Sequence, residues 1–304
     1  MSISEFLKRN LSTFSRAQHK KRTLNSILAA PQYEHNVVNI YRKDENNIGD
    51  FYCAPHLYFD ELKNKSLDIF DYKSSNPEVR EHFIQSVNNN ALIIGGGGLL
   101  KRSSFKQQLK TFETLAKRGK KSVLWGIGHN DKNKSNFGKT VPYEIDTSAF
   151  GLVGVRDYNR AESFVPCVSC MHPIFDQHYS NSQEIGLVFH KNSIKNKSLL
   201  KTLSHYPYTC NTKDLDNMIS FIGASETVVT DSYHAMYWAM LLEKKIIVIP
   251  NSTKFFNFKY KPEFSTFNEF ETRVKKAPRY TGLLEECRAL NIQFSNRVFN
   301  YLNL

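Results

Sequence analysis

Short apolar runs alternate along the chain with segments of helical periodicity. Four runs come early and three follow later, over 36–41, 91–94, 122–125, 152–155, 185–189, 227–230 and 246–249. Continuous apolar runs of this length are typical of strands buried in a parallel sheet that helices cover on both faces. The two series therefore predict an α/β fold with two Rossmann-like domains that face each other across a cleft.

The same pattern predicts four segments. We expect a basic N-terminal helix over 1–29, an N-terminal Rossmann-like domain over 30–180, a C-terminal one over 181–264, and a helical tail over 265–304 that breaks near Pro278. The N-terminal helix has apolar positions between basic residues. Two interpretations stay open for it: a helix packed on the body of the protein, or an interfacial helix that rests on anionic lipid.

The stretch 220–250 predicts a strand, the elbow Asp231-Ser232, a helix from about Tyr233, and a second strand. Apolar residues recur on this helix at i, i+3, i+4, i+7 and i+8 from Tyr233 to Leu241, which indicates one buried face. Ser232 and His234 then lie at the start of the helix. Because a helix N-terminus attracts anions, the elbow predicts an anion site, and we interpret it as the active site.

Several polar residues lie at the carboxyl ends of predicted strands. They are Asp50, His129, Arg156, His190, Lys191 and His234. Ligands of doubly wound sheets bind at this edge. Arginine and lysine bind carboxylate and phosphate groups there, and histidine transfers protons near neutral pH.

Glycines mark two further turns. Gly49 is expected to supply an unusual backbone angle, and Asp50 to cap a helix that begins at Phe51. The run from Gly95 to Gly98 follows a strand and is expected to lead into a helix that ends near Ala116. It lacks both the dinucleotide-binding spacing and the Walker A lysine, so a phosphate or sugar site and simple tight packing both stay open.

The amino-acid composition limits the classes of binding partner that we expect. The chain of 304 residues has 41 Lys+Arg against 29 Asp+Glu, a formal net charge of +12, which favours anionic partners. No nucleic-acid-binding motif is visible, so we expect no nucleic acid partner. A run of apolar residues long enough to span a membrane is absent from the sequence, and so is a secretory signal. We therefore expect a cytoplasmic protein.

Cys167 and Cys170 form a C-x-x-C that His172 follows. This spacing permits a zinc site, but no second close pair of ligands accompanies it. The favoured interpretation is buried, reduced thiols and no metal.

Four motifs, taken in order, resemble those of the polysaccharide pyruvyl transferases. Asn47-Ile48-Gly49-Asp50 matches an N-G-D-like segment with one inserted residue, and 93–99 matches a strand that runs into G-G-G-G-L. Val155-Arg156-Asp157 matches a V-R-D segment, and 230–235 matches a strand, histidine elbow and helix. The ordered set covers roughly residues 36 to 250.

One position departs from the family pattern. Many members have R-x-H at the elbow, where the arginine helps to hold phosphoenolpyruvate, and here Ser232 stands in place of that arginine. The elbow looks closer to that of the exopolysaccharide ketal pyruvate transferases. Arg156, His190 or Lys191 is the expected replacement.

The resemblance implies a GT-B-like fold with the acceptor bound by the N-terminal domain and the donor by the C-terminal one. It implies transfer of a pyruvyl (enolpyruvyl) group from phosphoenolpyruvate to a hydroxyl pair of a hexose, which forms a pyruvate ketal. The acceptor would be a cell-surface polysaccharide or its lipid-linked precursor. No cofactor or metal is implied, and peripheral contact with the inner face of an anionic cytoplasmic membrane would suit such an acceptor.

On this hypothesis His234 is the leading general acid/base and His190 the second. The substrate-binding residues would be Arg156, Lys191, Ser232, Asp231, Asp50, Gly49, Gly96, Gly97, Gly98 and His129. The nearest alternative is a GT-B-type glycosyltransferase that uses a nucleotide sugar in surface-glycan synthesis. A basic membrane-binding or glycan-binding module without activity is the non-enzymatic alternative.

Overall fold

The computed structural model describes residues 18–211 and 214–304. The first described element is a helix over 18–29 (α1). The predicted N-terminal helix over 1–29 therefore lies mostly outside the described residues, and so do its basic residues Lys8, Arg9 and Arg16. Within the described ranges, no helix has the length and apolar character that crossing a bilayer requires.

The first sheet has seven parallel strands. Their order is β2-β1-β3-β5-β6-β7, and β4 pairs with β5 beside this path. The strands are β1 (Asn36–Tyr41), β2 (Ser66–Asp68), β3 (Asn90–Ile94), β4 (Gly97–Leu100), β5 (Ser122–His129), β6 (Leu152–Val155) and β7 (Ser163–Phe164). Two longer helices accompany them in the sequence, α3 (Pro77–Asn89) and α4 (Lys106–Lys117).

The second sheet has five parallel strands in the order β12-β11-β10-β8-β9. These are β8 (Gln183–Phe189), β9 (Tyr208–Cys210), β10 (Ser225–Thr230), β11 (Lys245–Val248) and β12 (Glu263–Phe264). The helices in this part of the chain are α5 (Lys197–Thr202), α6 (Leu215–Ala224) and α7 (Tyr233–Leu241). An α/β fold with parallel sheets is therefore confirmed.

Short 3-10 helices connect many of these elements. They cover Pro55–Leu57, Asp60–Leu62, Asp71–Lys73, Lys134–Asn136, Thr147–Ala149, Val168–Met171, Pro173–Asp176, Ser193–Lys195, Thr253–Phe255 and Phe270–Lys276. The turn Thr253–Phe255 follows β11 and carries Lys254.

Two predicted helix starts are wrong. Asp50 does not cap a helix that begins at Phe51; it lies inside the short helix α2 (Ile48–Phe51), which Asn47 precedes, and two 3-10 turns follow instead of a long helix. The glycine run does not lead directly into a helix. It leads into β4, which continues the line of β3 along β5, and α4 begins only at Lys106.

The last helix, α8 (Leu283–Leu302), joins the cores of both sheets. Its first turns pack with the second sheet's core through Leu283 and Cys287, and its later turns pack on Trp125 of β5 through Phe294 and Val298. The break that Pro278 predicts is present: the 3-10 turn ends at Lys276, and α8 starts after Gly282, whose φ is 70°. The tail is thus built into the core.

Candidate functional site

One cavity of about 410 Å³ lies where strands of both sheets end. From the first sheet it is reached by residues that follow β1, β3, β5 and β6, and from the second by residues that follow β8, β9, β10 and β11. Its lining includes Asp44, Asn47, Asp50, Gly96, Gly97, Gly98, Arg156, His190, Lys191, Asn211, Asp231, Ser232, Tyr233, His234 and Lys254. Ten of the twelve residues that the sequence singles out line this cavity, and Gly49 and His129 do not.

Helix α7 begins at the wall of the cavity. The Ser232 amide donates to Thr230 Oγ1 at 2.9 Å, and the first helical hydrogen bond runs from the Met236 amide to the Ser232 carbonyl. Within the described part of the chain, the amides of Tyr233, His234 and Ala235 have no partner. These three donors and the positive end of the helix dipole give this wall the properties of an anion site.

The prediction of one buried face on α7 is too narrow. All nine residues from Tyr233 to Leu241 are buried. The helix packs on β10 and β11 and also meets α2, α6 and α8, so every side of it is covered. A helix apolar on all sides is expected in such a central position.

Arg156 follows β6 and points its guanidinium into the same wall. The side chain is 2% exposed, and its Cζ stacks over the Tyr233 ring at 4.1 Å from the centroid. Its Nε and Nη1 are buried and have no hydrogen-bond partner among the residues of the structure. A buried guanidinium without an anionic partner is costly in free energy. It is therefore suited to a planar anionic group brought by a ligand.

Lys254 is a second unpaired cation at this wall, and the sequence reasoning missed it. It lies in the 3-10 turn after β11, and within the described chain its ammonium forms neither a hydrogen bond nor an ion pair. Burial and the nearby Arg156 lower the pKa of Lys254 to about 8. The rule that located the other cations, polar residues after strand ends, applies to it too, but five residues separate it from β11.

His234, 6% exposed, lies between α2 and Cys167. Its Nε2 is 3.6 Å from Cys167 Sγ, and a Cβ built on Gly49 would lie 2.1 Å from its Nδ1. Gly49 is thus required for close approach, and its expected unusual backbone angle is not found. Burial, and then the charges of Arg156 and Lys254, lower the pKa of His234 well below its ordinary value. The imidazole is therefore neutral at pH 7.

Asp231 organises the loop after β8. Its Oδ1 accepts from the His190 amide at 2.7 Å, its Oδ2 accepts from the Ser193 hydroxyl, and its carbonyl accepts from Asn251 Nδ2 at 2.7 Å. Both carboxylate oxygens are thus used within the protein. Burial, and then the charges of Lys254 and Lys191, lower the pKa of His190 to about 4, so this second imidazole is neutral as well.

Two further predicted residues lie across the cavity. Lys191 Nζ forms an ion pair with Asp44 at 2.7 Å, so its charge is already compensated. Asp50 Oδ2 accepts from Asn47 Nδ2 at 2.7 Å, and Asn47 Oδ1 in turn accepts from Asn211 Nδ2 at 2.9 Å. This amide chain links α2 of the first half to the end of β9 in the second.

The glycine run forms the cavity floor beside these groups. A Cβ on Gly96 would lie 2.2 Å from the Cys53 carbonyl oxygen, and one on Gly98 would lie 2.9 Å from both Arg156 Nη2 and Asn130 Nδ2. Gly97 adopts φ 95°, a left-handed region that favours glycine. A side chain at Gly98 would therefore occupy the space in front of Arg156.

His129 is buried away from the cavity. Its Nδ1 is 2.5 Å from Thr253 Oγ1, and its amide donates to Asp157 Oδ2 at 2.7 Å. The Thr253 amide also donates to the Asp131 carbonyl at 2.9 Å. His129 therefore holds the turn that carries Lys254 against the end of β5, and it has no direct path to a ligand in the cavity.

Cys167 and Cys170 are free, buried thiols, and His172 Nδ1 accepts from the Ile174 amide. Across residues 18–211 and 214–304, no group of three or more histidine, cysteine or acidic side chains is arranged to hold a metal ion.

Sequence comparison identifies the family to which this arrangement belongs. The family model described as polysaccharide pyruvyl transferase matches residues 29–253, which include every residue of the cavity wall described above except Lys254. The chain belongs to the polysaccharide pyruvyl transferase family. The family makes the protein a transferase in general terms and suggests pyruvyl transfer to a polysaccharide.

No curated protein matches the chain significantly. Among solved structures, the chain is similar to a functionally uncharacterised protein of Klebsiella pneumoniae subsp. pneumoniae NTUH-K2044. The TM-score is 0.42 and the sequence identity 16%, over 83% of this chain and 90% of that protein.

Proposed function

We propose that the protein transfers the pyruvyl group of phosphoenolpyruvate to two hydroxyls of a hexose in a polysaccharide or its lipid-linked precursor, and that the product is a pyruvate ketal. The observation that carries this proposal is the unpaired guanidinium of Arg156, buried beside the free amides of α7. Phosphoenolpyruvate is a small molecule with a carboxylate and a phosphate. It therefore needs several donors and more than one positive charge within a few ångströms.

The donor would bind with its two anionic groups shared among Arg156, Lys254 and the amides after Ser232. A fork of guanidinium donors suits a planar carboxylate, and a helix N-terminus suits a phosphate. This assignment uses Lys254 where relatives use the elbow arginine. Lys191 is left to its ion pair with Asp44.

The acceptor would bind on the side of the first sheet. Phe70 and Phe105 line the cavity and stack with ring centroids 5.1 Å apart. Arg102 and Lys132, which form no ion pairs in the described chain, line the same cavity. Aromatic and cationic groups together suit a hexose that bears anionic substituents nearby. On this proposal 30–180 is the acceptor domain and 181–264 the donor domain of a GT-B-like enzyme.

The reaction balances with one proton moved onto carbon. The methylene carbon of phosphoenolpyruvate gains a proton and becomes the ketal methyl group, C2 forms bonds to two sugar oxygens, and the bond from C2 to the phosphate oxygen breaks. Of the two hydroxyl protons, one balances the proton placed on carbon and the other leaves with the phosphate. We assign His234 as the base that accepts a hydroxyl proton. Its lowered pKa leaves the imidazole unprotonated at pH 7, and a hydroxyl that bonds to an oxocarbenium-like C2 becomes acidic enough to give its proton to a weak base.

A ligand-dependent melting experiment tests the proposal. Phosphoenolpyruvate at about 100 times its Kd should raise the free energy of unfolding by about 2.7 kcal/mol. Arg156→Met should abolish most of this effect, because loss of one partner of a buried charge pair costs about 2–5 kcal/mol, a weakening of at least ~30-fold. Arg160→Met is the matched control, since Arg160 stacks on Tyr143 outside the cavity.

Two outcomes would contradict the proposal. Stabilisation by UDP-glucose or another nucleotide sugar, and none by phosphoenolpyruvate, would indicate the glycosyltransferase. Stabilisation by neither, with binding of glycan or liposomes that Arg156→Met leaves unchanged, would indicate a binding module.

A further inference from the structure

The reaction proposed above requires an acid that delivers a proton to carbon, and the next inference rests on that function. His234 and His190 are poor candidates, because burial lowers the pKa of both imidazoles and leaves them neutral at pH 7. The group that supplies the proton must line the cavity near Arg156 and Lys254. It must also have an oxygen or nitrogen that the protein does not already use.

Three carboxyl groups line the cavity, and their hydrogen bonds distinguish them. Asp231 accepts one hydrogen bond on each oxygen, from the His190 amide and the Ser193 hydroxyl. Asp44 is paired with Lys191. Asp50 accepts from Asn47 on Oδ2 alone, and its Oδ1 has no hydrogen-bond partner within the described residues. Asp50 is therefore the carboxyl group with an oxygen available to a substrate.

The position of Asp50 is fixed from two sides. Asn47 holds Oδ2 and is itself held by Asn211, so the carboxyl group keeps one orientation. A Cβ built on Gly97 would lie 3.9 Å from Asp50 Oδ1, at the distance of ordinary contact. The absence of a side chain at Gly97 leaves the space in front of this oxygen to a ligand.

The surroundings of Asp50 favour its acid form when the donor is bound. Burial raises the pKa of Asp50, while Lys254 and Arg156 oppose this shift. A bound phosphoenolpyruvate would neutralise those two cations, and its own negative charge would disfavour a carboxylate beside it. Donor binding thus raises the fraction of Asp50 that carries a proton. The nearby imidazole of His234, whose pKa moves the other way, then has the complementary role.

We propose that Asp50 is the general acid that protonates the methylene carbon of phosphoenolpyruvate. The carboxyl proton moves to that carbon, the electron pair of the double bond forms the new C–H bond, and the oxocarbenium-like centre at C2 is attacked by the sugar hydroxyl. His234 takes the proton of that hydroxyl. The second hydroxyl then displaces the phosphate. One hydroxyl proton returns to Asp50, and the other passes from His234 to the departing phosphate.

The test follows the carbon that gains the proton. In D₂O, with methyl glucoside and methyl galactoside as acceptors, wild-type enzyme should place deuterium at C3 of phosphoenolpyruvate or product, observed by NMR. Asp50→Asn should slow this incorporation by about 10²–10⁴. It should leave the Kd for phosphoenolpyruvate within about threefold, because the asparagine oxygen can still accept from Asn47. Asp50→Glu should restore part of the rate.

Asp60→Asn, on an exposed 3-10 turn, is the control with unchanged incorporation. Deuterium incorporation at the wild-type rate by folded Asp50→Asn would overturn the assignment. So would loss of phosphoenolpyruvate binding in both Asp50 variants, since Asp50 would then be a binding residue. If phosphoenolpyruvate fails to stabilise wild-type enzyme, the proposed function itself is wrong, and the melt detects this separately.

Discussion

At the scale of single residues, the cavity combines compensated and uncompensated charges. Lys191 and Arg42 form ion pairs with Asp44 and Asp68, whereas Arg156 and Lys254 have no ion pair within the described chain. Arg156 and Lys254 lie on one wall with the start of α7, whereas Arg102 and Lys132, which also have no ion pair within the described chain, belong to segments of the first sheet. This distribution indicates where a ligand's charge is expected.

The pH dependence of donor binding should follow the protonation state of Lys254. Because burial lowers the pKa of Lys254 to about 8, its charged fraction falls from about 90% at pH 7 to about 10% at pH 9. If the charged form binds the donor, the Kd for phosphoenolpyruvate should rise about tenfold over this interval. Lys254→Arg should remove the dependence, since arginine stays charged. Isothermal titration at both pH values measures it, and an equally flat wild-type profile would contradict the role.

The site residues were predictable from the sequence only where they follow strands closely. Arg156, His190 and Lys191 come directly after β6 and β8, so the topology alone brought them to one edge. The same rule selected His129, whose side chain turns back to Thr253. Strand ends indicate the neighbourhood of a side chain, but its direction depends on packing that a sequence pattern does not contain.

At the scale of elements, the contact between α2 and α7 sets the position of His234. Gly49→Ala would place a Cβ 2.1 Å from His234 Nδ1 and should displace the imidazole. We expect turnover to fall about 10²-fold, close to the effect of His234→Ala, while the Kd for phosphoenolpyruvate changes little. Steady-state kinetics with folded variants measures this.

The matched control is Asn46→Ala, an exposed position in the same loop. The double variant Gly49→Ala/His234→Ala should lose no more activity than His234→Ala alone, because both changes act on one side chain. Additive losses would show that Gly49 acts elsewhere.

The strands were the most predictable elements, and the short helices the least. Apolar runs located β1 and β6 to the residue, because both strands place apolar side chains on both faces of the sheet. Helix α2 has four residues and two of them are buried, too short for a periodicity to appear. The glycine run was misread as a strand-to-helix turn because its continuation, β4, is specified by pairing with β5 rather than by local sequence.

At the scale of the whole molecule, α8 joins segments that are far apart in sequence. Asn291, fully buried, accepts from Trp125 Nε1 at 3.0 Å and donates to the carbonyls of Cys287 at 3.0 Å and Pro166 at 3.3 Å. Arg288 donates to the Cys170 carbonyl at 2.8 Å and pairs with Asp176. No periodicity predicts such partners, since they are fixed only when both sheets are in place.

Asn291→Ala should lower the free energy of unfolding by about 2–4 kcal/mol, because it leaves the Trp125 N–H and the Pro166 carbonyl buried without partners. Urea unfolding measures the change. Ile292→Ala, at an exposed position of the same helix, should stay within about 0.5 kcal/mol of wild type. An equal effect of the two substitutions would contradict the role of Asn291.

The way α8 packs on Trp125 also affects how the protein is made in the cell. Phe294 and Val298, which cover this part of the first sheet, are synthesised about 170 residues after Trp125. At about 5–20 residues per second, translation takes roughly 10–30 s to supply them. During that interval the nascent sheet exposes an apolar face to chaperones and to neighbouring chains. The uncovered face therefore depends on chaperones at the ribosome during this interval. A slow-translating or truncated message, which prolongs the exposure, would cause most misfolding at this stage.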